Sequence, residues 1–236
     1  IVAIGGDGTF RGALAISRQA AKDGMNLQVV GIPATIDNDI GCSHYTIGFD
    51  TACNTCIECI DKLRDTMQSH ERCSVVEVMG RHAGYLALYV GIAVGATAVL
   101  IPERPVDFER DVIENIRRAR LAGTTHYMIV VAEGAGKAFY IGQQINEAIG
   151  IDPRVTVLGH IQRGGAPSAR DRETASRMGY QAVQTLAAQK GNRIVSLVDG
   201  RIIDLDMEEA LAMTKNFQMD RYDILEALTN NGVSHI

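Results

Sequence analysis

The sequence lacks an excess of positive charge and a long uninterrupted apolar run. Its 236 residues carry 23 Lys and Arg against 28 Asp and Glu, a formal net charge of -5. Nucleic acids and anionic membranes attract basic surfaces, so this balance argues mildly against either as a partner, although small phosphate ligands need only a few local cations. The longest apolar candidate, Tyr85–Ile101, is broken by Gly91 and Gly95 and is shorter than the roughly 18 residues that cross a bilayer. We read it as a buried helix followed by a buried strand.

Cysteine is scarce and is not arranged as a cluster-binding set. The five are Cys42, Cys53, Cys56, Cys59 and Cys73. Three of them follow a Cys-x-x-Cys-x-x-Cys spacing, but an iron–sulfur cluster would need a fourth cysteine nearby and a following proline. The same three positions share helical spacing, so we favour small buried apolar side chains. The odd number of cysteines, without a visible secretion signal, predicts a reducing, cytoplasmic setting.

The sequence also has no initiating methionine and no linker rich in Pro, Gly or Ser. It opens inside a strand-like run, Ile1–Ile4, that leads directly into a glycine-rich loop. We therefore expect a truncated or partly sequenced chain whose first domain is incomplete. Composition alone does not locate a domain boundary.

Strand-like and helix-like segments alternate along the chain, which predicts parallel sheets covered by helices, with ligands beyond the carboxyl ends of the strands. In the first helix we expect Ala13, Ile16 and Ala20 to face the core. The predicted strands are Ile1–Ile4, Leu27–Ile32, Cys73–Met79, Ala98–Ile101, His126–Ala132, Arg154–Leu158, Ile194–Val198 and Arg201–Ile203. The predicted helices are Thr9–Lys22, Asp50–Ser69, Ala83–Val94, Phe108–Ala122, Gln143–Ile149 and Ala169–Gln189, with short ones near 207–213 and 221–229.

The first candidate site is Gly5-Gly6-Asp7-Gly8-Thr9, which follows a strand and opens a helix. Glycines let the backbone approach phosphate oxygens, and a helix amino end offers free N–H groups and a positive dipole. Asp7 would repel bare phosphate, so a magnesium ion is the natural mediator. A plain glycine turn with Asp7 as a helix cap is the alternative.

The second candidate is Pro-Ala-Thr-Ile-Asp-Asn-Asp at 33–39, again directly after a strand. In an extended chain Asp37 and Asp39 would lie on one side, about 7 Å apart, and a bend would turn them toward different groups. Phosphoryl transfer needs a carboxylate near the attacking hydroxyl. A loop in which Asp37 and Asn38 satisfy the backbone as an Asx turn is equally compatible.

The third candidate is the segment Arg154–Gly165, which is followed by Asp171 and Arg172. It places Arg154 at one end of a strand and His160 and Arg163 in the loop beyond the other end. The guanidinium fork matches phosphate oxygens, and histidine can donate to the same group. Alternatively, Arg163 pairs with a structural carboxylate such as Asp171.

In this order and spacing, the three motifs resemble the ATP-dependent phosphofructokinase family over nearly the whole chain. The first motif is shared with sugar, lipid and NAD kinases, whereas the third fits the family at every defined position. The resemblance implies transfer of the γ-phosphoryl group of ATP to the 1-hydroxyl of fructose 6-phosphate, giving fructose 1,6-bisphosphate in glycolysis. It also implies an α/β fold with two Rossmann-like parallel-sheet domains, helices on both faces and the substrate cleft between them. Residues 1–48 plus 161–211 would bind the nucleotide, and 49–160 plus 212–236 the sugar phosphate.

The resemblance further implies roles for single residues. Asp37 resembles the general base, with Thr35, Asp39 and Arg81 near the transferred phosphoryl group. The residues implied for the nucleotide are Gly6, Asp7, Gly8, Thr9 and Gly12, with Asp7 on the magnesium side. The residues implied for the sugar phosphate are Met79, Gly80, Arg81, Glu133, His160 and Arg163. Arg72 and Arg154 resemble arginines lent to a neighbouring subunit, which implies a homotetramer. Core packing for Met79, a turn cap for Glu133 and surface pairing for the two arginines are the alternatives.

Departures from the family pattern refine these expectations. Pyrophosphate-using members typically carry an aspartate where Gly8 stands and a lysine where Ala34 stands, so we predict ATP as the donor. Regulated bacterial members carry a glutamate and lysines at the effector site for ADP and phosphoenolpyruvate, where this chain has Thr97, Ala122 and Thr124, and only Arg64 remains. We therefore expect a weak response to both effectors. Pyrophosphate-dependent, lipid or NAD kinases and a non-catalytic nucleotide sensor remain the alternatives.

Overall fold

The computed structural model describes residues 1–66 and 72–230, and its chain forms two compact units. The first unit comprises Ile1–Thr51 and Ala166–Asn216, and the second comprises Ala52–Gly165 and the chain from Phe217 onward. That the first unit binds nucleotide and the second a sugar phosphate stays a prediction. No helix in the described ranges is both long and apolar enough to cross a membrane.

The first unit is built on a four-stranded sheet in the order β1-β2-β7-β8. Its strands are β1 (Val2–Gly5), β2 (Val30–Pro33), β7 (Arg193–Val198) and β8 (Arg201–Asp206). Its helices are α1 (Asp7–Lys22), α6 (Ala169–Ala187) and α7 (Met207–Ala212). Phe10 and Met207 pack in one apolar cluster with Ile194, and Met178 packs in another with Val195. Because neighbouring strand residues point to opposite faces, α1 and α7 cover one face of the sheet and α6 the other.

The second unit holds a four-stranded, fully parallel sheet in the order β4-β5-β3-β6. Its strands are β3 (Arg72–Val78), β4 (Ala98–Leu100), β5 (His126–Ala132) and β6 (Arg154–Val157). Its helices are α3 (Tyr85–Ala93), α4 (Glu114–Leu121), α5 (Ala138–Ile149) and α8 (Met219–Asn230), while α2 (Phe49–Asp65) begins at the unit boundary. Strands β3 and β5 are buried after their first residue, as expected for a sheet covered on both faces, and they are mainly apolar, although β3 also contains Ser74 and Glu77.

Most predicted elements are present, with five corrections. Ile16 is 55% exposed, because the buried face of α1 is formed by Phe10, Ala13, Leu14, Ser17 and Ala20. The strand predicted from Leu27 begins at Val30. The helix predicted from Gln143 begins at Ala138, because Glu77 on β3 accepts the backbone N–H of Ala138 at 2.9 Å and caps the helix from a distance in sequence. The predicted end of α2 at Ser69 lies outside the described residues.

The remaining two corrections concern backbone geometry. The single helix predicted over Phe108–Ala122 begins as a π-helical turn, Glu109–Ile113, before α4. Strand β8 runs antiparallel to β7 rather than parallel. Asp199 and Gly200 both have positive φ, 48° and 76°, and a two-residue turn of this kind joins only antiparallel strands.

Candidate active site

The glycine-rich loop lies at the carboxyl end of β1 and leads into the first turn of α1. Gly6 precedes the helix, and Asp7, Gly8 and Thr9 form its exposed amino end. A Cβ on Gly8 or Gly12 would meet no atom within 4 Å, so both positions leave open space beside the helix. Asp7 pairs with Arg11 at 2.6 Å across one helical turn. Free N–H groups, positive dipole and open backbone suit this loop to phosphate.

The loop that carries the carboxylates follows β2 and lies directly beside the glycine-rich loop. Strands β1 and β2 are paired in register, Gly5 with Pro33, and Ala34 donates its N–H to the carbonyl of Gly5 at 2.9 Å. A Cβ on Gly6 would lie 3.9 Å from the Cβ of Thr35. The first two sequence motifs therefore meet at one edge of the sheet in the first unit.

Within this second loop, Asp37 and Asp39 are not in an extended segment. Asn38 between them has φ of 50°, in the left-handed region, so the loop bends at that residue. The N–H of Asp37 is donated to the hydroxyl of Thr35 at 3.2 Å. Asp37 is half-buried and Asp39 is exposed, so the two carboxylates have different surroundings. The expected 7 Å same-side arrangement of an extended chain does not apply.

A buried carboxylate on α6 supports the chain between this loop and α2. Asp171 is 1% exposed and accepts hydrogen bonds from Tyr45 at 2.5 Å, from the N–H of Gly48 at 2.7 Å, and from both the N–H and the hydroxyl of Thr51. Burial alone would raise the pKa of Asp171, but these hydrogen bonds outweigh it and hold the pKa below its ordinary value. Asp171 is thus a structural acceptor for its own unit, which disfavours the alternative that it serves as the partner of Arg163.

The second unit gathers another group of predicted residues at the carboxyl ends of its strands. Met79, Gly80 and Arg81 follow β3, Glu133 follows β5, and His160 and Arg163 lie in a 3-10 turn, Gly159–Arg163, after β6. Glu133 donates its N–H to the carbonyl of Val78 at 2.9 Å, and Gly134 donates to the carbonyl of Gly80 at 3.2 Å. Strands β5, β3 and β6 are neighbours, so the three loops lie along one sheet edge.

Gly80 is required by the geometry of this edge. Its φ is 129°, and a Cβ there would lie 2.3 Å from the carbonyl oxygen of Ala83. Arg81, His160 and Arg163 are exposed, whereas Glu133 is half-buried, so three cationic or polar side chains are accessible on the loops along the edge that also carries this carboxylate. Such a set can bind a phosphorylated sugar through charge-assisted hydrogen bonds.

Gln162 is the residue that sequence reasoning missed. It is 1% exposed, and its amide oxygen accepts the N–H of Met79 at 3.0 Å and the thiol of Cys56 at 3.3 Å. Its amide nitrogen donates to the carbonyl of Gly159 at 2.8 Å. Gln162 therefore ties the loop after β3 to the loop after β6. The sequence shows that Gln162 lies between Gly159 and Arg163, but it does not show which side chains of a turn point inward. The role of Gln162 could therefore not be predicted from the sequence.

Arg72 and Arg154 lie at the opposite, amino ends of β3 and β6. Seven residues of strand at roughly 3.3 Å each separate Arg72 from Met79, a distance of about 23 Å, and Arg154, in register with Ser74, lies about 16 Å from the level of Met79. The two arginines line one groove of about 730 Å³ together with Phe139, Asn146 and Asp152. The unit therefore does not bring these two arginines to the edge that carries His160 and Arg163.

Two of the predicted effector residues, Thr97 and Thr124, lie just before the amino ends of β4 and β5, whereas Arg64 lies on α2. Arg64, Thr97 and Thr124 line a small cavity of about 190 Å³, which His126 also borders. The hydroxyl of Thr97 accepts the N–H of Met128 at 3.1 Å, and Arg64 donates to the carbonyl of Val94. Ala122 caps the end of α4 and is not among the cavity residues. Of the three altered positions, two thus border the cavity.

The fold and these loops define an α/β protein whose candidate site lies beyond the carboxyl ends of parallel strands, where proteins of this class bind ligands. A family model described as phosphofructokinase matches residues 1–186. The ATP-dependent 6-phosphofructokinases of Bacillus thuringiensis (strain Al Hakam) and Bacillus cereus (strain AH187) are each 51% identical over 229 residues, which is 97% of this chain and 70% of each relative. The chain belongs to the phosphofructokinase family, and the predicted family is confirmed.

Solved structures agree with the fold. Phosphofructokinase from Saccharomyces cerevisiae matches 98% of this chain with a TM-score of 0.82 and 28% identity, although the chain spans only 34% of the yeast chain. A pyrophosphate-dependent phosphofructokinase from Marinobacter aquaeolei matches 97% of this chain with a TM-score of 0.82 and covers 67% of that protein, at 24% identity. At that identity the second likeness speaks for the fold alone. The predicted α/β class is confirmed.

Proposed function

We propose that this chain provides the reacting carboxylate and a sugar-phosphate site of an ATP-dependent 6-phosphofructokinase, which transfers the γ-phosphoryl group of ATP to the 1-hydroxyl of fructose 6-phosphate. One observation carries the proposal: the glycine-rich loop and the Thr35–Asp39 loop are hydrogen-bonded neighbours, with Ala34 donating to Gly5 at 2.9 Å. Nucleotide phosphates on the first loop would thus lie beside the carboxylates of the second. The curated Bacillus relatives, named ATP-dependent, support ATP as the donor.

Asp37 would act as the general base. A half-buried carboxylate that accepts the proton of the 1-hydroxyl makes that oxygen a better nucleophile as the bond to phosphorus forms. Thr35 and Asp39 flank it in the same loop, and Arg81 would neutralise charge on the transferred group. The bend at Asn38 supports separate roles for the two carboxylates, since the chain changes direction between them and only Asp37 is half-buried.

The sugar phosphate would contact the edge of the second unit. His160 and Arg163 are exposed and can bind the 6-phosphate, while Glu133 can accept hydrogen bonds from sugar hydroxyls. The backbone of Met79 and Gly80, held by Gln162, would lie against the sugar. Arg72 and Arg154 would serve the site of a neighbouring copy in a homotetramer. Their positions at the amino ends of the strands, about 23 Å and about 16 Å of strand away from the level of Met79, support this.

Magnesium would enter with the nucleotide. Across residues 1–66 and 72–230 no cluster of three or more His, Cys, Asp or Glu side chains could hold a metal ion. Mg²⁺ typically uses one or two carboxylates together with substrate phosphates and water, so exposed Asp7 beside a phosphate loop fits that pattern. The ion would supply charge neutralisation on the transferred phosphate. We also propose a cytoplasmic setting, which the five free cysteines support.

The proposal is tested by Asp37→Asn in the complete protein. The amide cannot take the hydroxyl proton, so kcat with ATP and fructose 6-phosphate should fall by about 10²- to 10⁴-fold. Asp23→Asn, at an exposed position after α1, is the matched control and should leave kcat unchanged. An unaltered kcat in Asp37→Asn would show that this residue is not the general base. Activity of the complete protein with pyrophosphate but not with ATP would show that ATP is not the phosphoryl donor.

A further inference from the structure

Lys215 makes direct contact with the loop that carries the two carboxylates, although it lies far away in sequence. It follows α7 in the non-helical chain of the first unit. Its Nζ donates to the carbonyl oxygen of Asn38 at 2.7 Å, to the side-chain Oδ1 of Asn38 at 3.0 Å and to the carbonyl oxygen of His44 at 3.4 Å. One ammonium therefore holds both the backbone and the side chain of Asn38.

Asn38 is the residue at which the carboxylate loop bends. Its φ of 50° is rare for residues other than glycine, although asparagine tolerates it better than most. Asn38 is 7% exposed, and the hydroxyl of Thr46, which donates to the carbonyl of Thr35 at 2.6 Å, lies 3.3 Å from Oδ1. The directions of Asp37 and Asp39 on either side depend on this conformation, because a change of φ or ψ at Asn38 would rotate one relative to the other.

A close backbone contact brings Lys215 within reach of Asn38. A Cβ on Gly41 would lie 2.2 Å from the carbonyl oxygen of Met213 and 3.1 Å from the carbonyl carbon of Thr214. Only glycine therefore allows the chain before Lys215 to lie against the chain after Asp39. This contact is independent of the hydrogen bonds and points to the same pairing of the two segments.

The charge of Lys215 is consistent with this contact. Burial lowers the pKa of Lys215 to about 8, while attraction to Asp39 and Cys42 opposes the shift. At neutral pH the ammonium remains mainly charged and donates charge-assisted hydrogen bonds to the carbonyl oxygens. These are stronger than bonds from a neutral donor.

We propose that Lys215 is a positioning residue for phosphoryl transfer, which holds Asn38 in its bend and thereby aims the carboxylates of Asp37 and Asp39. The inference rests on the proposed function of the Thr35–Asp39 loop. Lys215 acts through Asn38 on the placement of the carboxylates. Its loss should therefore impair the chemical step more than the binding of either substrate.

The first test compares Lys215→Met and Lys215→Arg in the complete protein. Methionine removes the donors but keeps an unbranched stem, so kcat should fall by about 10²-fold, the effect of a carboxylate misplaced by roughly 1 Å, while both KM values stay within about 3-fold. Arginine keeps a charged donor and should restore kcat to within about 3-fold. Lys190→Met, at an exposed position after α6, is the control and should match the wild type. A normal kcat in Lys215→Met, or a rise in KM alone, would overturn the proposal.

The second test displaces the segment while leaving the lysine in place. Gly41→Ala should push residues 213–215 away and reproduce the loss of kcat at temperatures where thermal melts show the variant folded. Combined with Lys215→Met it should cause no further loss, because both changes remove the same contact. Independent, multiplying losses would contradict the shared mechanism.

A crystal structure of Lys215→Met separates this inference from the proposed function. If the complete wild-type protein transfers no phosphoryl group, the proposed function fails, yet Asn38 should still leave the left-handed region in the variant. If Asn38 keeps its φ near 50° without the lysine, the positioning role is wrong even when the enzyme is active.

Discussion

Gly8 shows how much depends on an absent side chain. It is the second residue of α1, and a Cβ there would meet no protein atom within 4 Å. The first turn of a helix also tolerates an acidic residue well. A carboxylate at this position would therefore affect a bound nucleotide and leave the fold intact.

We accordingly predict that Gly8→Asp in the complete protein keeps the wild-type melting temperature but loses kcat/KM for ATP. Repulsion between the new carboxylate and nucleotide phosphate about 4 Å away is on the order of 4 kcal/mol at an effective dielectric constant near 20, hence a loss on the order of 10²- to 10³-fold. Gly8→Ala adds the same first carbon without charge and should lose much less. An unchanged kcat/KM for ATP in Gly8→Asp would show that the nucleotide phosphates do not bind beside Gly8.

Among the elements, the first turn of α2 depends on a carboxylate from α6. Asp171 accepts the N–H groups of Gly48 and Thr51, so it caps α2 from more than a hundred residues away in sequence. Because the folded-state pKa of Asp171 is depressed, its contribution to stability is present above the unfolded-state pKa and is lost as pH falls through the folded-state value.

Asp171→Asn should thus lower the free energy of unfolding by roughly 2–3 kcal/mol at pH 7, the value of hydrogen bonds to a charged acceptor. The difference from the wild type should shrink below about pH 4, where the unfolded-state carboxyl of the wild type becomes protonated. Glu173→Gln, exposed on the same helix, is the control for urea unfolding at both pH values. A difference that stays constant with pH would show that the charge of Asp171 contributes nothing.

The elements themselves were largely predictable, and their exceptions have physical causes. Strands β3 and β5 were evident because buried parallel strands are rich in apolar residues, even though Ser74 and Glu77 interrupt the apolar run of β3. The start of α5 was not, since its cap is Glu77 on a distant strand. The loop positions of Asp37 and His160 followed from sequence, but the bend at Asn38 and the contacts of Lys215 and Gln162 depend on tertiary packing.

For the whole molecule, regulation should be weak. The cavity near the amino ends of β4 and β5 has Thr97 and Thr124 on its lining, and Arg64 already donates to the carbonyl of Val94. Among the residues that the structure describes, the cavity lining lacks the glutamate and the lysines that regulated members carry at this site. An anionic effector would therefore form few charge-assisted hydrogen bonds there. ADP and phosphoenolpyruvate should therefore change the fructose 6-phosphate half-saturation of the complete enzyme by less than about 2-fold, a coupling below roughly 0.4 kcal/mol.

The check is a set of saturation curves at several effector concentrations. The variant Ala122→Lys with Thr124→Lys restores two cations near the cavity and should gain inhibition by phosphoenolpyruvate. Strong sigmoidal inhibition of the unmodified enzyme by phosphoenolpyruvate would contradict the prediction.

The separation of Arg72 and Arg154 from the other sugar-binding candidates has a consequence for the enzyme in dilute solution. One copy cannot bring both ends of its own strand β3 to the same substrate, since about 23 Å of strand separates Arg72 from Met79. If one sugar phosphate contacts residues from both ends, each complete site needs two copies of the chain. An isolated protomer would then contribute to two sites without completing either. Specific activity would then fall when the enzyme is diluted below the concentration at which its subunits dissociate. It would recover when the enzyme is concentrated again.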